Sequence, residues 1–337
     1  MIRRPVVTRR VAVAIPALNE RASIVRCVAA LSRQPETLPS GTRFSVHVLA
    51  NNCSDGTAAA LRDSFGGCDW LRIHEVRSAA GEANAGWARR MALECAAKDL
   101  SAPDDLILSS DADTVVASDW CEKMLCYFEE GFDAVAGIAR IRGSDWGELT
   151  REQRRRLRQL TKYHALLSYL RGDRSAPDDP WPNHGYEGGA SIALTFGMYG
   201  KIGGCPALPC GEDRALFEAV RTAGGRVRHA LDVRVFTSGR RIGRAKGGTA
   251  DTIGLWCCQG AADPIHETWQ LNAELGHAEK TAENRLTFKR LPDEIVRAQA
   301  LVYAARSVED LAGKAPRRFA CARDRVGSAG AAARLSP

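Results

Sequence analysis

No stretch of this chain approaches the roughly 18 apolar residues that a membrane-crossing helix needs. The apolar run from Val11 to Leu18 stops at once in Asn19-Glu20-Arg21, which suits a strand better than the core of a secretion signal. No Cys-x-x-Cys pair occurs among the eleven cysteines. Cys121 with Cys126, and Cys205 with Cys210, lack the spacing of a zinc site. The cysteines therefore read as reduced, mostly buried small hydrophobes of a cytoplasmic protein. No Gly-x-Gly-x-x-Gly follows the first apolar run, which argues against a dinucleotide-binding dehydrogenase. No internal repeat is present. Charge of one sign is also scarce: 47 basic against 40 acidic residues leave +7. That mild excess suits anionic substrates such as nucleoside diphosphates, and equally fits weak attraction to nucleic acid or acidic lipid or no consequence at all; no nucleic-acid partner is expected. At 337 residues and 45% hydrophobic, the chain can build a core without metal or disulfide.

What is there is an alternation. Apolar strand-like runs at Val11–Ala17, Phe44–Asn52, Trp70–Arg77, Asp105–Asp113 and Asp133–Ile141 are separated by helix-length segments. These segments are Glu20–Arg33, Gly56–Phe65, Glu82–Lys98 and Ser118–Glu130, the last with Ser118 as its expected cap. Such alternation predicts an α/β fold with a mainly parallel twisted sheet flanked by helices, and ligands at the carboxyl ends of the strands. Beyond it, Arg151–Tyr169 reads as a long helix with a basic run. The segment 172–189 is a long polar loop of the kind that forms lids or substrate contacts. Ala190–Gly200 reads as strand then turn, Arg214–Ala223 as helix, and Val227–Phe236 as strand. From about Leu255 the pattern is helical. The division expected is a catalytic domain over 1–250, with halves 11–141 and 142–250, a helical C-terminal tail over 251–325, and a disordered end over 326–337.

Five constellations could carry chemistry. Asp111-Ala-Asp113 ends an apolar strand, and a spacing of two puts both carboxylates on one side of an extended chain. A divalent cation, Mn2+ or Mg2+, relieves their repulsion and can share a diphosphate with them. Alone, the pair could equally be a solvated strand end. Asn51-Asn52-Cys53-Ser54-Asp55-Gly56-Thr57 opens a helix, where short polar side chains cap it or bond a base or ribose. Pro16-Ala17-Leu18-Asn19-Glu20 ends the first strand and turns polar groups outward. Gly211-Glu212-Asp213-Arg214 precedes a helix, so its carboxylates read as a cap or as a general base. Thr237 to Gly248 places Arg240, Arg241, Arg244 and Lys246 among glycines, either a phosphate-gripping loop or a solvated basic one.

The order of these pieces, IPALNE, NNCSDGT, a strand-end DAD, GGAS and then GED, resembles the family 2 glycosyltransferases of the GT-A fold over roughly Val11 to Gly248. The resemblance implies transfer of a sugar from a nucleoside-diphosphate sugar to a hydroxyl acceptor with inversion, a hexosyltransferase-like activity. It implies that Pro16, Ala17, Asn19, Glu20, Asn52 and Asp55 hold the nucleoside, with Asn84 and Arg89 facing the nucleotide. Asp111 and Asp113 would bind the metal, Arg240 and Arg244 the phosphates, and Gly188 to Ser191 would lie near donor sugar or acceptor. Asp213, with Glu212 beside it, would be the base. Two positions depart from the family's pattern. Asn51-Asn52 stand where many members have Asp, and Thr237-Ser238 where many have His. His184 and His229 are the candidate replacements for that third metal ligand. The acceptor is left open as a small molecule, a glycan or a lipid-linked compound, with the basic helix a candidate for peripheral membrane contact. Oligomeric state is not legible. The rival readings are a sugar nucleotidyltransferase, disfavoured because PALNE replaces a glycine-rich basic loop, and a non-catalytic binding protein, disfavoured by the carboxylates at 111, 113 and 213.

Overall fold

The computed structural model describes residues 9–79, 84–171, 179, 182–244, 247–271 and 280–311. The alternation becomes β1 (Arg10–Ala17), α1 (Arg21–Leu31), β2 (Arg43–Asn51), α2 (Thr57–Phe65), β3 (Leu71–Val76), α3 (Ala85–Ala97) and β4 (Leu106–Ser109). A two-residue strand β5 (Val115–Val116), α4 (Trp120–Glu129), β6 (Ala134–Ile141) and α5 (Arg151–Arg171) follow. Then come β7 (Ile192–Thr195), α6 (Phe196–Lys201), α7 (Glu212–Thr222) and β8 (Val227–Thr237). The chain continues through α8 (Thr249–Cys258), β9 (Pro264–Trp269), β10 (Arg285–Thr287) and α9 (Leu291–Leu311).

Eight strands form one sheet in the order β3-β2-β1-β4-β7-β6-β8-β5. β3, β2, β1 and β4 are parallel, while β7 runs against both β4 and β6. The period of two along each strand builds a core on both faces. Val11, Val13 and Ile15 of β1 pack with α1 and α4, whereas Ala12 and Ala14 face α3. That second face is small on both sides, because α3 presents Ala88, Ala92 and Ala96 at helical spacing. Small side chains let the helix lie close on the sheet, which brings Arg89 to the strand ends. On the other face Trp120 of α4 is fully buried, and its indole N–H donates to Ser191 Oγ at 2.9 Å. Trp120→Ala is expected to cost about 3–5 kcal/mol.

The expected tail is helical at both ends, with the antiparallel ribbon β9–β10 between α8 and α9. Its apolar residues Ile265, Leu286, Leu291 and Ile295 share a core with Leu160, Tyr163 and Leu167 of α5. Part of the basic run of α5 is engaged by the protein itself. Arg155 and Arg156 pair with Glu152, Arg156 also lies over Phe288, and Arg158 lies over Trp146. Residues 326–337 fall outside the described residues. No described helix is long and apolar enough to cross a membrane. Three local expectations need correction. Ser118 does not cap α4, whose N-cap position is Asp119 without a side-chain cap bond. The turn expected after β7 is helix α6, with Thr195 as its cap, accepting from the Met198 N–H. Among the described residues nine cysteines carry free thiols, but Cys126 is disulfide-bonded.

Candidate active site

The carboxyl ends of β1, β2 and β4 put three loops side by side. Asn19 and Asn52 both take positive φ, 53° and 52°, which short amide side chains tolerate. The turns they make are stitched together. The Ser54 N–H donates to Asn19 Oδ1 at 2.8 Å, the Glu20 N–H to Thr57 Oγ1 at 2.9 Å, and the Arg21 N–H to Asp55 Oδ2 at 2.9 Å. Asp55 also accepts from Thr57, and these bonds outweigh partial desolvation to hold its carboxyl below the usual range. Both ends of the Asn52 amide are taken by Ser78 just past β3. Of the residues expected to hold a nucleoside, Asn19, Asn52 and Asp55 thus spend their side chains on loop architecture. Pro16 and Ala17 close β1 within the sheet, in register with Leu49 and Ala50 of β2. Asn84 is likewise spent, accepting from the Trp87 N–H at 2.9 Å as the cap of α3.

Arg89 is the hub of the site. Its Nε donates to Glu212 Oε1 at 3.0 Å and its Nη2 to Asp111 Oδ1 at 2.7 Å. Nη1 donates to Ser109 Oγ at 2.9 Å and to the Gly189 carbonyl at 3.0 Å. Arg89 is 5% exposed, so this fork is committed to positioning carboxylates rather than turned toward a nucleotide. A Cβ at residue 189 would lie 1.9 Å from Arg89 Nη2, which is why glycine stands there. Gly211 takes φ 77° to start α7, a conformation that side-chain-bearing residues adopt at a cost. The turn aims Glu212 inward to Arg89. It also aims Asp213 at the Gly189 N–H, which donates to Oδ2 at 2.9 Å.

The two aspartates lie just past β4 in a turn, closed by a bond from the Thr114 N–H to the Asp111 carbonyl, and not on the strand itself. Their side chains therefore part. Asp111 meets Arg89, while Asp113 meets Arg240 Nη2 at 2.9 Å and accepts from Thr237 Oγ1 at 3.3 Å. They still sense each other. Burial, then the Asp111 charge, then Glu20, push the Asp113 carboxyl up to about 6 against the pull of Arg240. Burial and the neighbouring Glu212 raise Asp213 as well, with Arg89 holding it back. Glu20, expected at the nucleoside, is 4% exposed and accepts from Arg240 at 2.7 Å, with Arg244 on the same oxygen. The basic loop thus reaches the site, closing over Glu20 and Asp113. Lys246 lies outside the described residues.

Neither histidine offered as a third metal ligand is available. His184 places Nε2 on the Ala136 carbonyl at 3.1 Å and accepts from the Tyr186 N–H at Nδ1. Burial holds it down to about 4. His229 is held by Asp179 at 2.8 Å and Glu187 at 3.2 Å, which together outweigh burial and raise it. Among the described residues no group of three or more His, Cys, Asp or Glu side chains could hold a metal ion. Sequence reading missed Tyr186, which stacks over Gly188 and feels the charges of Asp213 and Asp111. It also missed Ser78. Each is a single polar residue in a loop without a motif, so no spacing signal could have found it. Beyond Tyr186 and Arg214, a cavity of about 500 Å³ opens toward α5 and β9.

The family model described as Glycosyl transferase family 2 matches residues 12–191, more than half of the chain. Among solved structures, a mannosyltransferase from Pyrobaculum calidifontis, in complex with GDP-Man and Mn2+, is 16% identical. That match covers 96% of this chain and 80% of the other, with a TM-score of 0.50. Glucosyl-3-phosphoglycerate synthase from Mycobacterium tuberculosis, in complex with Mn2+, UDP and phosphoglyceric acid, is 18% identical over 78% of this chain and 82% of the other, at a TM-score of 0.46. Such identities bear on the fold alone, and the first match agrees with the mixed sheet described above. No curated protein matches the chain.

Proposed function

This chain belongs to glycosyl transferase family 2, and from that membership we propose that it moves a sugar, of the hexosyl class, from a nucleoside-diphosphate donor to a hydroxyl acceptor with inversion. The observation that carries the reading is the Arg89 fork. It ties Asp111, beside Asp113, to the Glu212-Asp213 pair at the same end of the sheet. A cation subsite and a base are thereby held in one place.

The residues present fit a divalent ion. Asp113 rises to about 6 because it is buried and lies beside the Asp111 and Glu20 charges, and the guanidinium of Arg240 stands where a cation is needed. Mg2+ and Mn2+ are commonly held by one or two carboxylates, with phosphate oxygens and water completing the shell, so a third protein ligand is not required. Asp111 and Asp113 would hold the ion, and it would supply charge neutralisation to the departing diphosphate. That a mannosyltransferase of similar fold was crystallised with GDP-Man and Mn2+ supports the same choice here.

The protein's own residues do the rest. Arg240 and Arg244, now on Glu20, turn to the diphosphate as negative charge grows on it. Asp213 accepts the acceptor's hydroxyl proton. Its pKa, raised by burial and by Glu212, makes it a better base than a solvated carboxylate. The hydroxyl oxygen bonds to the anomeric carbon from the face opposite the diphosphate, and the C–O electron pair leaves with the phosphate. Arg89 keeps Asp111 and Glu212 in place throughout.

The test is a thermal-shift screen of UDP-, GDP- and dTDP-sugars with and without Mn2+, followed by nucleotide release. A Mn2+-dependent shift for one nucleotide class, lost in Asp113→Ala, is expected. No shift with any of them would overturn the donor assignment.

A further inference from the structure

The cavity beyond Asp213 has a lining that selects among acceptors. It is bounded by α5, by the segment around Asn183 to Tyr186, by the start of α7 and by β9. Its walls mix hydrogen-bonding groups, His164, Ser168, His184 and Thr268, with the apolar surfaces of Leu167 and Trp269. Its volume, about 500 Å³, is that of a small-molecule site.

The charges in it are unequal. Asp179 lines the cavity, but both its oxygens are occupied by Arg228 and His229. Glu267 is the remaining carboxylate of the lining. Against it stand two cations without a carboxylate partner among the described residues, Arg214 and Lys280. Lys280 rests over the Trp269 ring at 5.5 Å. Arg214 follows Asp213 directly in the chain, and its own N–H donates to Asp213 Oδ1 at 2.8 Å. A guanidinium thus stands one residue from the base, with its fork uncommitted.

We propose that this cavity is the acceptor site and that the acceptor is a small hydroxy acid, its carboxylate or phosphate held by Arg214 and Lys280. This inference rests on the reading of Asp213 as base. With the anion gripped by the Arg214 fork, a hydroxyl elsewhere on the molecule reaches Asp213. The hydroxyl proton passes to Asp213 and its oxygen bonds to the anomeric carbon. The bond from that carbon to the diphosphate breaks, with both electrons going to phosphate.

The experiment uses the full chain loaded with Mn2+ and whichever of UDP or GDP it binds, so that the donor phosphate subsite is filled. Inorganic phosphate is then titrated by calorimetry into wild type, Arg214→Ala and Lys280→Ala. Both side chains are exposed, so the folds are expected to persist. Phosphate is expected to bind wild type, about tenfold or more weaker in Arg214→Ala and several-fold weaker in Lys280→Ala. As a second arm, glycerate and glycerol are compared for their stimulation of nucleotide release, and glycerate is expected to exceed glycerol. Unchanged phosphate affinity in Arg214→Ala overturns the proposal, and so does glycerol matching or exceeding glycerate. Arg214-dependent sedimentation with phosphatidylglycerol vesicles, without binding of free phosphate, overturns it in favour of a lipid headgroup. If neither UDP nor GDP binds with Mn2+, the failure belongs to the donor assignment and not to the cavity.

Discussion

Replacing Arg89 with methionine tests the architecture of the site most directly. Methionine matches the length of the stem and removes four hydrogen bonds at once, to Glu212, Asp111, Ser109 and Gly189. The consequences are unequal. Asp111 is 35% exposed at its side chain and can turn to water, whereas Glu212 is 7% exposed and cannot. The cost is therefore dominated by one buried carboxylate left without its partner, about 3–5 kcal/mol. That is a large fraction of the stability of an ordinary domain. Urea unfolding measures it, with the m-value unchanged if only stability has moved. A double-mutant cycle with Glu212→Gln separates the pair from the rest, and a coupling of about 1–3 kcal/mol is expected. Catalysis reports the same contact differently. Arg89 holds the Asp213 pKa down against burial and Glu212, so its loss moves the acid limb of the kcat/KM profile to higher pH. Arg89→Lys keeps the charge without the fork and is expected to fall between the two. A loss below about 1 kcal/mol in Arg89→Met, or an unmoved acid limb, would refute the hub.

Other outcomes follow from the same geometry. The Asp113 carboxyl is raised from 3.8 to about 6, so the metal-free fold is favoured below pH 4 and loses up to about 3 kcal/mol as pH rises through 6. Asp113→Asn should therefore be the more stable protein at pH 8 in denaturant melts without metal, and should fail to bind Mn2+ with nucleotide. A variant no more stable than wild type contradicts the crowding of carboxylates. Wild-type Mn2+ affinity should weaken as pH falls through 6, because the ion and a proton compete for the same carboxylate; flat calorimetric affinities from pH 5 to 8 would exclude that. His229 is raised above 6.5 by Asp179 and Glu187, so its stabilisation is full below 6.5 and fades as pH climbs through its folded value. The Tm gap between wild type and His229→Gln should be wide at pH 6 and narrow by pH 9, and a gap independent of pH would sink the argument. Gly189→Ala puts a methyl group where Arg89 lies and should reproduce much of the Arg89→Met loss in the same melts. Asp213→Asn should keep donor binding and lose about 10²–10⁴ in turnover, as measured by nucleotide release; near-normal rates would remove the base.

The strand–helix alternation, the two-sided sheet and the order of the polar loops were legible from sequence, because each depends on spacing along the chain. A period of two assigns Val11, Val13 and Ile15 to one core and Ala12 and Ala14 to the other, wherever those cores lie. The β9–β10 ribbon was not legible, since its three-residue strand β10 carries too little pattern. In the site, local spacing found the residue types but not their partners. Asp111 and Asp113 look like a matched pair on a strand, yet a turn past β4 sends one to Arg89 and the other to Arg240. Asn52 and Asp55 look like ligands and serve as stitches between loops. Arg89 meets Glu212 across 123 positions of chain. The sequence by itself determined which chemical groups stand at the strand ends, because strand periodicity and turn chemistry are local. Which of those groups neutralise one another was decided only by the packing of α3 and α7 on the sheet, because electrostatic pairing depends on distance in space.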